Sequence, residues 1–482
     1  MISLRRNYFL SLISQIIAVA SPLIVTPFLA RRLLADNIGI FSFTESVVFI
    51  FGIFALFGSQ THGQREIAYC RGDHKKELQT FAEIFLASGI TVSLVLAGYV
   101  VFICLQNQYR LIYWILTLEF IAFHWDISWF YCGREDFKSL LYRNVLVKSL
   151  YVILVFALIR SEEDLPLYVL LRSGTLLLGG AALLLPVVCQ CIREKIRVRR
   201  SAIPGHLKKM MPLFVPQIAI QIYTVLDKTM IGVITQSAYQ NGCYEEAMKV
   251  IRILMSFVAV ISGVLTPRIA SLFAAGDEEE IRRKLSAGLR LVCLITLPMV
   301  IGIDMVASVF VPWFLGPGYD AATRLLRILG ILLLVIGVSQ ITGSCLLAVR
   351  QEKCFTRNVC IGAAVNFLLN LWLIYMFLAQ GAAYASVIAE LIVTALMLYS
   401  CRKYLDFVGA LRMFIPYLLC GAVMWGMLAV VKKYISCNGL GALLILAACG
   451  AATYGSGLLI IRDKMPMEAL RVIRTRLRFR GQ

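Results

Sequence analysis

Fourteen apolar runs follow one another along the chain, near 9–30, 38–58, 81–103, 111–131, 144–159, 167–189, 212–235, 247–266, 286–310, 328–349, 359–379, 382–401, 413–431 and 440–461. A helix needs roughly 20 apolar residues to cross about 30 Å of hydrocarbon, and it satisfies its own backbone on the way. Membrane strands would alternate polar with apolar residues, and these runs do not. Hydrophobic residues make up 60% of the 482 and charged ones 16%, with a mean hydropathy of +0.80. That is too little polar surface for a water-soluble globule of this size. An all-α integral membrane protein with about 14 transmembrane helices is predicted. The short run 144–159 decides the topology, because every later span reverses direction if it does not cross.

A net charge of +19 would suggest nucleic acid in a soluble chain, but its distribution gives another answer. With the N-terminus inside, the alternate loops 1–8, 59–80, 132–143, 190–211, 267–285, 350–358, 402–412 and 462–482 hold 33 of the 47 Lys and Arg. This is the positive-inside bias of a multi-pass inner or plasma membrane protein with both termini cytoplasmic. No nucleic-acid partner is expected; membrane lipids are. The basic tail places Leu470, Ile473 and Leu477 on one helical face among Arg471, Arg474 and Arg478, a pattern suited to anionic lipid. The 14 cysteines show no CxxC spacing and read as apolar filler.

The chain repeats itself. Span four leaves the membrane through Asp126-Ile-Ser-Trp-Phe-Tyr-Cys-Gly-Arg-Glu-Asp-Phe137 and closes on Arg143-Asn144; span ten leaves through Arg350-Gln-Glu-Lys and closes on Arg357-Asn358. Ile67-Ala68 followed by Gly72-Asp73 returns as Ile269-Ala270 followed by Gly276-Asp277. Six spans per repeat is an even number, so the halves are parallel. This predicts an N-lobe over 1–209 (spans 1–6), a C-lobe over 210–406 (spans 7–12), and spans 13–14 with the basic tail over 407–482. Glycines 421, 426, 439, 441, 450, 455 and 457 in that last part suit close helix packing. Trp114, Trp125, Trp129, Trp313 and Trp425 are expected to anchor at the membrane interfaces.

Every predicted loop is short, and none carries a P-loop, a GxSxG elbow, an HExxH helix or a dinucleotide fingerprint. The chain is read as a carrier, not an enzyme. Ionisable residues inside spans cost at least about 2.5–3.5 kcal/mol each at the bilayer centre, so each needs a pathway, a pair or a route to the interface. Glu83, Lys148 and Arg290 lie near span ends and are expected to snorkel. Arg31, Arg32, Arg172, Lys228, Lys249 and Arg252 are expected to line a cationic cavity suited to phosphate. Asp227, Glu390, Glu45, Glu119 and Asp126 are the candidates for ion coupling; adjacent on a helix, Asp227 and Lys228 point about 100° apart and do not pair directly. No cofactor is expected beyond a proton or sodium gradient.

The stretch Asp126-Ile-Ser-Trp-Phe-Tyr-Cys-Gly-Arg-Glu135 with Arg143-Asn144 resembles the fourth-span signature of Wzx-like oligosaccharide flippases. These are the O-antigen and capsule repeat-unit branch of the multidrug/oligosaccharidyl-lipid/polysaccharide (MOP) exporter superfamily. Tyr223-x-x-x-Asp227-Lys-x-Met-Ile-Gly232, then Gly242-x-Tyr244-x-x-Ala247, is similar to the family's seventh- and eighth-span pattern, and Arg65-Glu-Ile-Ala68 adds a third match. The resemblance implies two parallel six-helix lobes (MATE-like) plus two extra helices and ion-coupled alternating access. The implied cargo is an undecaprenyl-diphosphate-linked oligosaccharide, moved from the cytoplasmic to the outer leaflet. A glycan polymerase and glycosyltransferases are the proteins such a flippase would work beside. Glu45 departs from the pattern, standing where many relatives carry a neutral polar residue. Alternatives in the same superfamily are a peptidoglycan-precursor (lipid II) flippase and a multidrug exporter, the latter expected to prefer an acidic cavity. A membrane glycan polymerase or ligase would need a large external loop.

Overall fold

The computed structural model describes residues 2–405, 407–435 and 439–461, without the side chains of 2–20, 215–217, 219–224, 407–408 and 410–413. The basic tail, with Leu470, Ile473 and Leu477, lies outside the described residues. The chain divides into two compact units, Met1–Glu245 and Glu246–Gln482.

The first unit holds α1 (Ile2–Leu56), α2 (Ser59–Tyr69), α3 (His74–Leu105), α4 (Arg110–Trp125), α5 (Ser128–Gly133), α6 (Phe137–Leu158), α7 (Leu165–Arg193), α8 (Ile203–Thr235) and the start of α9 (Ala238–Ala274). The second holds the rest of α9, then α10 (Glu278–Phe314), α11 (Asp320–Gly330), α12 (Leu332–Ala348), α13 (Glu352–Phe377), α14 (Ala379–Ser400), α15 (Phe407–Tyr434) and α16 (Leu440–Ile460). No strand occurs among the described residues. Twelve segments of them are long and apolar enough to cross a membrane. The first of these carries two predicted spans, because α1 breaks at Leu34, where φ is 61° and ψ 171°. With α8 covering 212–235, all fourteen predicted spans are largely helical, 111–131 with a break at Asp126–Ile127 between α4 and α5.

Within the first unit the basic loops meet at one end. Arg71 pairs with Glu135 at 2.6 Å, Arg134 with Glu77 at 3.1 Å, His74 with Glu194 at 3.0 Å and Lys209 with Glu66 at 3.2 Å. At the other end Arg32 donates to the carbonyl of Arg160 at 3.1 Å, and Asn37 to that of Glu162 at 2.6 Å. Helix α6 therefore starts at the basic end and finishes at the opposite one, so the run 144–159 does cross. In the second unit Lys403 pairs with Glu278, and Arg282 donates to the carbonyl of Lys403 at 3.2 Å. Lys432 donates to the carbonyl of Met305 at 2.8 Å at the far end.

The two repeated loops share backbone solutions. Gly72 and Gly276 both adopt positive φ, 99° and 75°, and the Asp after each caps the next helix, accepting from Lys76 N at 3.1 Å and Glu280 N at 3.0 Å. Glu135 and Arg350 both take φ near 60° (59° and 60°). Asp136 N then reaches Tyr131 O at 2.9 Å and Gln351 N reaches Leu346 O at 2.8 Å. The turn that ends span four thus recurs after span ten.

Some expectations change. The stretch between the runs 286–310 and 328–349 is mostly helix and not loop: α10 runs on to Phe314 and α11 starts at Asp320. Leu325, Leu326 and Leu329 recur on one face of α11 and are buried, which makes it a packed amphipathic helix. Trp129 is not an interface anchor: it is 5% exposed, stacks on Phe81 and sits under Gly63, whose Cβ would fall 2.3 Å from the indole. Of the late glycines, 421, 450 and 457 touch Ile301, Met424 and Cys420, whereas 426 and 455 face open space.

Candidate functional site: charges paired inside the spans

Helices α8 and α9 form a hairpin through the turn at Gln236 (φ 51°), and two neighbouring residues of α8 engage two neighbours on α9. Tyr244 donates its hydroxyl to Asp227 Oδ2 at 2.6 Å, and Lys228 Nζ meets Glu245 Oε2 at 2.9 Å. Asn241 Nδ2 adds a bond to the Lys228 carbonyl at 3.1 Å. The Lys228 and Glu245 side chains are 9% and 7% exposed, so each compensates a charge that water does not reach. Asp227 and Lys228 do not pair with each other, as their spacing predicted; both turn to α9.

The glycines of the seventh- and eighth-span pattern allow this hairpin to sit against α1. A Cβ on Gly232 would fall 2.1 Å from the Phe43 ring, and one on Gly242 would fall 1.9 Å from the Ala35 carbonyl oxygen. Thr229 donates to Ser46 at 2.8 Å alongside. The side chain of Tyr223 in the same pattern lies outside the description.

A second group joins α1, α4 and α7. Arg172 forms an ion pair with Glu45 and lies 5.3 Å from the Phe41 ring centroid. Ser173, next to it, donates to Glu119 Oε1 at 3.2 Å, and Glu119 is 4% exposed. Sequence put Arg172 among the anion-holding cations and the two glutamates among the coupling residues; the structure makes them one cluster. Glu45, the departure from the family pattern, is the partner of Arg172.

Asp126 closes the break between α4 and α5. Its Oδ1 accepts from Ser128 N at 3.0 Å and from Arg143 at 3.2 Å, while Arg143 donates to Ser128 Oγ at 2.6 Å. The signature Asp-x-Ser with a distant Arg is therefore a stitch across a broken helix.

In the second unit Lys249 Nζ meets Glu246 Oε1 at 2.6 Å, one turn away on α9, and Glu246 is 1% exposed. Arg252 lies on the same helix, exposed; Arg31 and Arg32 are also exposed, Arg32 against the Phe28 ring at 5.8 Å. Glu390 is buried on α14, one turn beyond Ser386. Facing it in sequence register, Asn358, Gly362, Asn366 and Asn370 recur every fourth residue on α13. Asn370 donates to Asn366 at 3.1 Å, Asn366 to Ser386 at 3.5 Å, and a Cβ on Gly362 would fall 2.1 Å from Val393.

Sequence reasoning passed over Glu245 and Glu246 because they lie just before the run 247–266 and were counted as loop. It also missed a buried chain at the basic end. His62 Nε2 and His206 Nδ1 are 2.9 Å apart, His206 Nε2 is 3.4 Å from Glu83 Oε2, and Arg199 donates through Nε to Glu83 Oε1 at 3.1 Å. Glu83 is 2% exposed and does not snorkel; Arg199, His206 and Gln79 hold it inside. His62 lies on α2, past the turn Phe57–Gly58 that ends the second span, and burial pushes its imidazole down to about 4. On the surface of the same end, Arg71 holds the Glu135 carboxyl below its usual range.

Helical spans that hide opposite charges in pairs define a multi-pass integral membrane protein. The chain belongs to the polysaccharide biosynthesis protein family, which it matches over residues 4–273, and its residues 143–448 match the Lipid II flippase MurJ family. It is 23% identical to a putative O-antigen transporter of Escherichia coli (strain K12) over 83% of this chain and 97% of that protein. A probable low-salt glycan biosynthesis flippase, Agl15 of Haloferax volcanii, is 27% identical over 36% of the chain. Among solved structures, the lipid II flippase MurJ in an inward closed conformation superposes with a TM-score of 0.72 at 15% identity, over 95% of this chain and 99% of that one. An inward-facing multidrug resistance MATE family transporter of the MOP superfamily gives 0.58 at 12% identity, over 82% and 95%. These likenesses bear out the fold read from sequence.

Proposed function

We propose that the chain is a flippase that moves undecaprenyl-diphosphate-linked glycan repeat units from the cytoplasmic to the outer leaflet of a bacterial inner membrane. Both termini face the cytoplasm, and the N-lobe 1–209 and C-lobe 210–406 are the moving parts of ion-coupled alternating access. The observation that carries this reading is the match along nearly the whole length of the O-antigen transporter, 97% of it, together with membrane-embedded cations that a diphosphate would engage. Arg31, Arg32, Arg172, Lys228, Lys249 and Arg252 engage the diphosphate over the cycle, and the prenyl tail stays in the bilayer. Asp227, Glu45, Glu119 and Glu390 are the carboxylates that take up the coupling ion, Glu390 with the asparagine stripe of α13 beside it. Asp126 has a structural task instead, as its stitch to Ser128 and Arg143 indicates.

A strain lacking its own repeat-unit flippase tests the reading: surface glycan should return with the wild-type chain and fall at least tenfold with Lys228→Ala. Unchanged export with that variant would remove the cationic residues from the account. The lipid II reading is supported by the MurJ family match over 143–448. Rescue of cells depleted of their lipid II flippase, without rescue of surface glycan, would favour it.

A further inference from the structure

Among the six cations assigned to the cargo, Lys228, Lys249 and Arg172 already hold an anion. Lys228 is paired with Glu245, Lys249 with Glu246 and Arg172 with Glu45, and Glu119 shares the surroundings of Arg172. A site of bare cations would attract a diphosphate, but it would also be left uncompensated in hydrocarbon whenever the carrier is empty. A carrier that releases cargo on one side must return without it. In a low-dielectric span, an uncompensated ammonium or guanidinium makes that return slow. The glutamates remove this obstacle, and they compete with the cargo for the same donors.

We propose that Glu245, Glu246 and Glu45 are tethered substitutes for the cargo's anion: they hold Lys228, Lys249 and Arg172 in the empty carrier, and the diphosphate displaces them on binding. This rests on the flippase reading above. Two of the three pairs join different helices, α8 to α9 and α1 to α7, so the exchange also changes which helices are tied together. The carboxylates are released to other donors or to protons as the cargo arrives. Apparent affinity is reduced by the fraction of cations that are internally paired, and removing the competitor restores it. A glutamate that takes up a proton when the diphosphate displaces it is thus the side chain that keeps one site near neutral both empty and loaded.

The test uses the full chain in lipid nanodiscs and proteoliposomes, with farnesyl diphosphate and a fluorescent prenyl diphosphate as probes. Glu245→Gln keeps the shape and removes the charge. It should bind farnesyl diphosphate about tenfold more tightly than wild type. Net movement of the fluorescent probe should slow several-fold, while exchange of labelled for unlabelled probe, which needs no empty return, should hold or quicken. A double variant, Lys228→Met with Glu245→Met, should keep the thermal stability of the wild type yet bind no more tightly. A merely structural ion pair predicts the reverse: Glu245→Gln melts lower and binds less, and the double variant restores transport. Equal or weaker binding by folded Glu245→Gln overturns the proposal; if that variant does not fold, Glu246→Gln carries the same comparison. Failure of the wild type to bind farnesyl diphosphate would instead overturn the cargo reading beneath it. Binding by wild type that Lys228→Met abolishes, without tightening by Glu245→Gln, would remove the exchange alone.

Discussion

Gly39 on α1 and Gly242 on α9 lie against each other's helix backbone. A Cβ on Gly39 would fall 1.8 Å from the Ala238 carbonyl oxygen and one on Gly242 would fall 1.9 Å from that of Ala35. Neither oxygen can yield as a flexible side chain would. Gly242→Leu and Gly39→Val should each separate the helices and lower stability by about 1–3 kcal/mol, the range for overpacked interiors. Thermal unfolding in detergent measures the loss. Gly72→Ala, where φ is positive but no neighbour lies within 4 Å, should cost only the backbone term, about 1 kcal/mol.

Tyr244→Phe deletes the hydroxyl that Asp227 accepts at 2.6 Å and nothing else. A hydrogen bond to a charged group contributes about 1.5–3 kcal/mol, and the unfolding temperature should fall accordingly. Asp227→Asn in the Tyr244→Phe background should then cost less than it does alone, because the two changes remove one shared contact.

Arg143 reaches both Asp126 and Ser128 through one nitrogen. Arg143→Ala should leave the α4–α5 break unstitched and lower stability by about 1 kcal/mol, the scale of an ion pair whose carboxylate, 40% exposed, stays in reach of water. Arg143→Ala with Asp126→Ala should recover part of that loss. A double variant as unstable as the sum of its parts would show that the pair does not act as a unit.

His62 has its folded pKa lowered to about 4 from 6.5, mainly by burial. Glu66, His206, Lys209 and Arg65 are the charged or titratable groups around it. A group depressed in the folded state contributes stability that is complete above the unfolded value and is lost as pH falls toward the folded one. Stability should therefore decline between pH 6.5 and 4, by on the order of 3 kcal/mol at most at about 1.4 per pKa unit. His62→Gln should flatten this acid limb, read as melting temperature against pH.

Glu390→Gln should leave the helices intact, since the amide keeps the shape of the carboxyl. Its effect should fall on coupling: flux in proteoliposomes should drop at least tenfold under an imposed ion gradient and change little without one. Equal response to the gradient in variant and wild type would take Glu390 out of the coupling account.

The spans were legible because they are a property of composition: hydrocarbon thickness fixes run length. The repeated Gly-Asp turns at 72 and 276 were legible too, since only glycine takes the required φ cheaply and Asp caps the next helix. Partners were not. Whether Arg172 faces an anion or Glu45 depends on how α7 crosses α1, which no periodicity encodes. Glu245 and Glu246 escaped because a hydropathy boundary placed them outside a span, although helix α9 carries them inside. Glu83 looked like a residue within reach of the interface; its burial comes from His206 and Arg199, far away in sequence. The four-residue spacing of Asn358, Gly362, Asn366 and Asn370 is also present in the sequence as one helix face.

Leu34 joins the first two spans with a single residue in a conformation that is essentially glycine's alone and costs on the order of 1–3 kcal/mol. A connecting loop would have slack, and slack absorbs movement. One residue has two torsions and no spare length, so α1 works like a bent crank: a tilt on one side of the elbow must appear on the other. Leu34→Gly would loosen the elbow while relieving its strain, and a firmer fold with poorer transmission is what such a trade would look like.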